Sequence, residues 1–475
     1  MITFSVCLVL LIGSYFTYGR YIEKVAGVRR DGSVPSATMF DGVDYIPLPK
    51  WKTFLIQLLN IAGLGPIFGA LLGATYGPVA FLWITLGGIF FGAMHDFFSG
   101  WISVENDGLS LPEIIGKYLG SGVKQVLRFF SVSLMVLVGA VFLLGPAGLL
   151  DGMTPALSKS AWVWIILAYY VLATMLPIDK IIGRVYPLFG AALIFMAAGL
   201  LGVLFFGDYT IPELTSLHNF KPDSADFPII PTLFITIACG AISGFHATQS
   251  PMMARCVQNQ KQCRGVFFGA MISESVIALI WAAIGMAFFG GIDGLNTQLA
   301  EHGNNAAWAV KLISDTTLGK IGGILAVLGV VAAPITSGDT AFRSARLIVA
   351  DILRVEQKSL LKRLGICIPL FIIGFGITLV NFDVVWRYFS WFNQTLAVFT
   401  LWAVTVYLRG KGGRSYLTAM IPAVIMTFVC GSYLFIGKEM LHLNHTAGYI
   451  AGAVASTAIT LFFILKFRKD GKTSA

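Results

Sequence analysis

Long apolar runs recur along this chain from one end to the other, and each holds the roughly 20 residues that a helix needs to cross a bilayer. Inside lipid, backbone N–H and C=O groups must find partners within their own element, so such runs fold as spanning helices. Thirteen are predicted, at about 2–19, 52–75, 78–103, 123–148, 160–177, 184–206, 229–254, 265–290, 320–342, 364–381, 385–408, 415–437 and 446–466. A length of 475 residues would otherwise suggest several soluble domains. With 56% hydrophobic and only 12% charged residues, that option is excluded. The fold class is an all-α polytopic membrane protein.

Charge fixes an expected orientation. The net charge of +9 does not point to nucleic acid, because basic residues sit in short clusters between spans. With the N-terminus outside and the C-terminus cytoplasmic, 27 of the 33 Lys and Arg residues fall in inner loops or at their edges. Lys159, Lys221, Lys311, Lys320, Arg387 and Lys438 fall outside. The opening stretch "MITFSVCLVLLIGSYFTYG" lacks a positive start and a small-residue cleavage site, so it is expected to stay as a first helix. Six cysteines lie in spans or basic loops, and no disulfide is expected. Cys256 and Cys263 have no matching partner pair, so no zinc site is expected from spacing.

Two spans are interrupted at mid-depth. "IAGLGP" (Ile61–Pro66) breaks the second span, and "IACGAISGFHATQSPMMARC" (Ile237–Cys256) breaks the seventh. Taken singly, Gly and Pro in a membrane helix mean a kink or close packing. These two open corresponding sets of five spans, one set starting at 52 from the inside and the other at 229 from the outside. After the second member of each set comes a predicted amphipathic helix, in "ENDGLSLPEIIGKYLG" and in "TQLAEHGNNAAWAVKLISDTTLG". Five spans followed by five inverted ones, each set led by a broken helix, is an arrangement of many secondary transporters. The expected division is an N-terminal helix and loop over 1–51, repeats over 52–206 and 229–408, and two C-terminal helices with a basic tail over 415–475.

Polar residues inside spans supply the candidate chemistry. Ser243, His246, Thr248 and Gln249 surround the second break, where half-helix ends add partial charges suited to a carboxylate. His95 and Asp96 in "GAMHD" and Glu274 in "MISESVIALIWAAIG" are intramembrane ionisable groups, functional by default and able to relay protons. Against that stands a buried structural network. "APITSGDTAFRSAR" ends the predicted ninth span and gathers Thr336, Ser337, Asp339 and Thr340. Oxygen donors of this kind suit a small cation, while the i,i+4 spacing of Asp339 and Arg343 suits a plain salt bridge. Asn393 and Gln394 in "WFNQTLA" serve either as substrate contacts or as interhelical hydrogen bonds. The chain has no HExxH, no P-loop and no metal-ligand quartet, so neither an enzyme, a metal site nor an ATP-driven pump is expected.

Together "IAGLGP", "GAMHD", "NDGLSLPEI", "CGAISGFHATQSP", "ITSGDTAFRSAR" and "WFNQTLA" resemble the carbon starvation protein A (CstA) family, from about Asp41 to Ala397. The resemblance implies an inner-membrane nutrient transporter, linked to pyruvate and peptide uptake, with proton coupling implied for pyruvate. It also implies the inverted five-plus-five fold of the LeuT and amino acid–polyamine–cation type. Larger relatives tend to carry paired histidines shortly before "IAG", where this chain has Ile56 and Gln57. It therefore resembles a shorter branch.

The expectation is a secondary active transporter working by alternating access, embedded in the bilayer, with a small carboxylate or short peptide as substrate. Substrate is placed against the backbone of Gly63, Leu64, Gly65, Gly240, Ala241 and Gly244. Ser243, His246, Thr248, Gln249, Asn393 and Gln394 are its side-chain contacts. No cofactor is expected beyond a coupling H⁺ or Na⁺, held between the first break and Thr336–Thr340, with His95, Asp96 and Glu274 as protonation candidates. The outer loop after Gly291 is a plausible lid. A ligand-binding sensor built on a transporter fold and a channel are the competing classes.

Overall fold

A computed structural model describes residues 1–29, 32–42, 45–154, 156–175, 179–355 and 359–470. Arg30, Lys358 and Lys472, which enter the basic-loop count, lie outside the described residues, as does the tail over 471–475. All regular structure among the described residues is helical. Nine helices there are long and apolar enough to cross a membrane, and a tenth passage is a bent pair. This is a multi-pass membrane protein.

The bent pair is Lys50–Ile61 with Gly65–Ala74, turned by 57° at the predicted first break. At the second break, Phe234–Thr236 ends before the non-helical stretch 237–243, and Gly244–Ala254 resumes beyond it. Both interruptions are buried within protein, the only place where lipid tolerates freed backbone groups.

The bundle has a dense centre and a lipid-facing rim. In Arg264–Phe288, 83% of the apolar window is buried, against 33% in Ile2–Ala26 and 22% in His445–Lys466. The first and last helices therefore lie outside the core. Leu417–Ile436 and His445–Asp470 pack on each other, and the former also packs on Phe382–Gly410. At the centre, corresponding members of the two predicted sets meet. The first broken helix packs on the second, Val79–Glu105 packs on Arg264–Phe288, and Ser121–Met153 packs on Gly322–Leu353.

Two expectations need correction. "APITSGDTAFRSAR" does not end its span but lies within Gly322–Leu353. Arg343 and Arg346 read as loop charges, yet they are only 9% and 6% exposed, and Arg343 Nη2 donates to Ala173 O at 2.8 Å. A buried partner lets the helix run on past the charge. The predicted single helix over 297–319 is instead two, Ile292–Glu301 and the first part of Ala306–Ala326, which is kinked at Gly319 (φ 57°) before the span Gly322–Leu353 begins. Between them Gly303 and Asn304 take positive φ values of 62° and 54°, which a right-handed helix cannot continue through. The other predicted amphipathic helix is present as Leu111–Leu119.

Candidate functional site

The two breaks touch. A Cβ on Gly65 would lie 2.1 Å from Cys239 Cβ and 2.4 Å from its Sγ, so only glycine allows the first break to rest on the second. The freed backbone of the second break is held by neighbouring helices. Trp83 Nε1 donates to Ile237 O at 3.1 Å, and Gln394 Nε2 donates to Phe234 O at 3.0 Å. Asn393 Oδ1 accepts from Ser243 Oγ at 3.0 Å and from Phe245 N at 2.7 Å. It thereby caps the N-terminus of Gly244–Ala254 from another helix, a service worth about 1 kcal/mol when supplied locally. Asn393 and Gln394, expected as substrate contacts, are thus engaged with the backbone that shapes the break.

One turn into that half-helix stands His246, fully buried. Its Nδ1 lies 2.8 Å from Asp96 Oδ2, while Asp96 Oδ1 lies 2.8 Å from His95 Nδ1. An ionised Asp96 needs a proton on each of those Nδ1 atoms, which leaves the Nε2 atoms of His95 and His246 as the exchangeable nitrogens, and of these His246 Nε2 faces a carboxylate. Nε2 sits 3.3 Å from Glu274 Oε2, near enough for an ion pair but out of line for a hydrogen bond. His246 Nε2 and both Glu274 oxygens consequently have no hydrogen-bond partner among the described residues. Burying two carboxylates is costly unless charge is paired or neutralised by a proton or cation. His95, Asp96, His246 and Glu274, read separately from the sequence, form one sealed cluster with no exposed surface.

The remaining candidates distribute around it. Gly63, Leu64, Gly240 and Ala241 are buried in the two breaks. Thr248 Oγ1 donates back to Phe245 O, and Gln249 Nε2 donates to Thr248 Oγ1. Thr336 and Thr340 donate to the backbone of their own helix, at Ala333 O and Ser337 O. Ser337 Oγ approaches Leu59 O at 3.5 Å, at the end of the first half-helix. Asp339 Oδ2 faces Arg343 Nη2 at 3.6 Å. The Thr336–Thr340 group therefore touches the first break through Ser337, apart from the histidine cluster.

Three contributors are not among the site residues expected from the sequence. Cys239 lies beside the cluster, with Asn393 Nδ2 at 3.5 Å from its Sγ. Trp83 is an ordinary apolar residue until its indole meets a freed carbonyl. Gln57, at a position noted for its difference from larger relatives, reaches Ser250 Oγ at 3.4 Å, and Ser250 Oγ donates to His246 O. Position 57 thus bears on the helix that carries His246.

A cavity of about 330 Å³ approaches the crossing from one end of the bundle. Thr236 and Trp386 line it near the breaks, and Lys221, Asp383, Arg387 and Lys438 line it farther out. The Ile292–Glu301 helix, expected as a lid, is fastened there: Asn296 Nδ2 donates to Thr75 O and Phe220 O, each at 3.1 Å. Burial in this outer end holds the Lys221 ammonium below its ordinary pKa range.

The model of the family described as "Carbon starvation protein CstA" matches residues 1–151 and 147–320. The chain belongs to the CstA family. Both breaks and all four members of the buried cluster fall within the matched region, whereas Thr336–Thr340 and Asn393–Gln394 lie beyond it. An uncharacterized membrane protein of Haemophilus influenzae is 43% identical over 340 residues, 61% of this CstA-family chain and 91% of that protein. Proteins named peptide transporter CstA are 26% identical in Helicobacter pylori, over 63% of this chain and 53% of theirs. In Escherichia coli the identity is 26%, over 58% and 48%. The chain spans about half the length of these peptide-transporter relatives. Among solved structures, the Eremococcus coleocola manganese transporter superposes with a TM-score of 0.58 at 11% identity, covering 91% of this chain and 99% of that one. The CstA-family chain therefore shares the fold of that protein.

Proposed function

We propose that the protein is a secondary active transporter that takes up a small nutrient by alternating access, coupled to a proton or Na⁺ gradient. The observation that carries this reading is His246 set between Asp96 and Glu274, sealed at the crossing of two broken helices. Movement of the half-helix that carries His246 changes the surroundings of both carboxylates, so proton occupancy and helix position are coupled. The substrate class is a pyruvate-like carboxylate or a short peptide, bound where the breaks meet. Peptide transport is what the longer relatives are named for. The N-terminal end of Gly244–Ala254, with Phe245 N already capped by Asn393, keeps the positive partial charge of a helix start, which suits a carboxylate in either class. The Ser337–Leu59 contact is the proposed neighbourhood of a second ion.

The architecture in this proposal has thirteen spans in the cell inner membrane, with the N-terminus outside. Two inverted five-helix repeats over 52–206 and 229–408 lie between one helix before and two after. Pairwise packing of corresponding members supports it, because elements nearest a two-fold axis meet their own counterparts.

Reconstituted protein in liposomes tests the function. Labelled pyruvate, dialanine and trialanine are offered under an imposed pH gradient, an imposed Na⁺ gradient, or neither. Accumulation of one class above the gradient-free level is expected, with the driving gradient naming the ion. Equilibration without accumulation under either gradient would reject coupled transport.

A further inference from the structure

We propose that Cys239, His246 and Glu274 form a binding site for a divalent transition-metal ion of borderline softness, represented by Zn²⁺ or Co²⁺, with Asp96 orienting the histidine. A thiol sulfur, an imidazole nitrogen and a carboxylate oxygen from these residues lie within 4.8 Å of one another, all three residues being buried. No sequence motif brings them together. Cys239 comes from the non-helical stretch, His246 from the half-helix after it, and Glu274 from the neighbouring helix Gly269–Phe288.

Convergence alone would not make a site, and a second observation supplies the direction. His246 Nε2, Glu274 Oε1 and Glu274 Oε2 are buried without hydrogen-bond partners. A carboxylate in that condition is stabilised by a cation or by a proton. The histidine is already set as a metal ligand would be: Asp96 Oδ2 engages Nδ1 at 2.8 Å, which fixes the ring and points Nε2 at Glu274. A carboxylate on the far nitrogen is the usual outer partner of a metal-bound histidine. Asn393 Nδ2, 3.5 Å from Cys239 Sγ, places a donor beside the sulfur.

The dimensions are compatible with small rotamer changes. Metal–ligand bonds of about 2.0–2.3 Å in a tetrahedral site put donor atoms about 3.5 Å apart. Closing from 4.8 Å or less needs movements of roughly an ångström, within reach of the Cys239 and Glu274 torsions. The donor set selects the ion. Thiolate with imidazole favours Zn²⁺ or Co²⁺ over Mg²⁺, Ca²⁺ or Mn²⁺, which prefer oxygen. Three protein ligands leave a fourth position for an oxygen donor, and a substrate carboxylate fits that role. Binding displaces the thiol proton and any proton shared by His246 and Glu274, so metal and protons compete for the same lone pairs.

The site is tested without transport, so its failure and that of the proposed uptake are separable. Full-length protein in detergent, stripped with a chelator, is titrated with Co²⁺ and with Zn²⁺. Binding is followed by calorimetry, by elemental analysis and by the sulfur-to-cobalt charge-transfer absorption. We expect one ion per chain and a charge-transfer band in the wild-type protein. Cys239→Ser removes the band, while Cys263→Ser, at a buried cysteine away from the site, keeps it. Asp96→Asn weakens binding about 10–100-fold with the band retained, as loss of an outer partner does. Glu274→Gln and His246→Ala abolish stoichiometric binding. Absence of a stoichiometric ion in the wild type, a bound Co²⁺ without the band, or a band that survives Cys239→Ser would each overturn the assignment. The first two outcomes need no variant and stand even if a substitution impairs folding.

Discussion

Replacing His246 with Ala is expected to abolish substrate accumulation while the chain still inserts in the membrane. The imidazole contacts Asp96 Oδ2 at 2.8 Å and Glu274 Oε2 at 3.3 Å, so its removal separates two buried carboxylates that it joins. Leaving one partner of a buried pair uncompensated costs about 3–5 kcal/mol. Here the loss is moderated, because Asp96 retains His95 at 2.8 Å and Glu274 becomes neutral by taking a proton. Folding survives on those terms, but the path between the carboxylates does not. Uptake into liposomes, normalised to reconstituted protein, should fall to the level of empty vesicles. Wild-type accumulation in His246→Ala would return the cluster to a purely structural role.

Gly244→Ala is expected to damage stability and uptake together. Its Cβ would lie 2.5 Å from Ala397 N, Asn393 O and Leu396 Cβ. Two of these are backbone atoms of Phe382–Gly410, which no rotamer change can clear. The helices must part, and the first bond to suffer is Asn393 Oδ1 with Phe245 N at 2.7 Å. Overpacking of this kind costs up to about 3 kcal/mol before the lost cap is counted. A clear fall in the thermal unfolding midpoint in detergent is the expected readout. Gly13→Ala is the control, since a Cβ there meets nothing within 4 Å. Equal midpoints for the two variants would contradict the close approach at Gly244.

Both breaks, and the nine spanning helices with the bent pair among the described residues, were legible because lipid imposes its demands locally, while the count of thirteen spans stays a proposal. An apolar run, or a Gly and Pro within one, is visible without knowing its neighbours. Individual members of the cluster were legible for the same reason, since His95, Asp96, His246 and Glu274 are each expensive inside a membrane. Their union was not. Asp96 and His246 stand 150 positions apart, and only the packing of one broken helix on its neighbours brings them together. Cys239 went unmarked because a buried cysteine is unremarkable until donors converge on it. The ends of elements failed where a buried contact overrode a local signal, as Arg343 shows by donating to Ala173 O inside a continuing helix. Asn393, open in the sequence to a substrate contact or an interhelical hydrogen bond, is bonded to the backbone of the break from another helix.

Of the two proposed coupling ions the buried cluster favours the proton, and the central claim that it links proton movement to substrate movement is tested most directly by proton entry. Liposomes holding a pH-sensitive dye, with no imposed gradient, are given whichever of pyruvate, dialanine or trialanine the protein accumulates. The account predicts acidification of the lumen on substrate addition with the wild-type protein and none with Asp96→Asn. Substrate entry without acidification, or an Asp96→Asn variant that acidifies like the wild type, would contradict it.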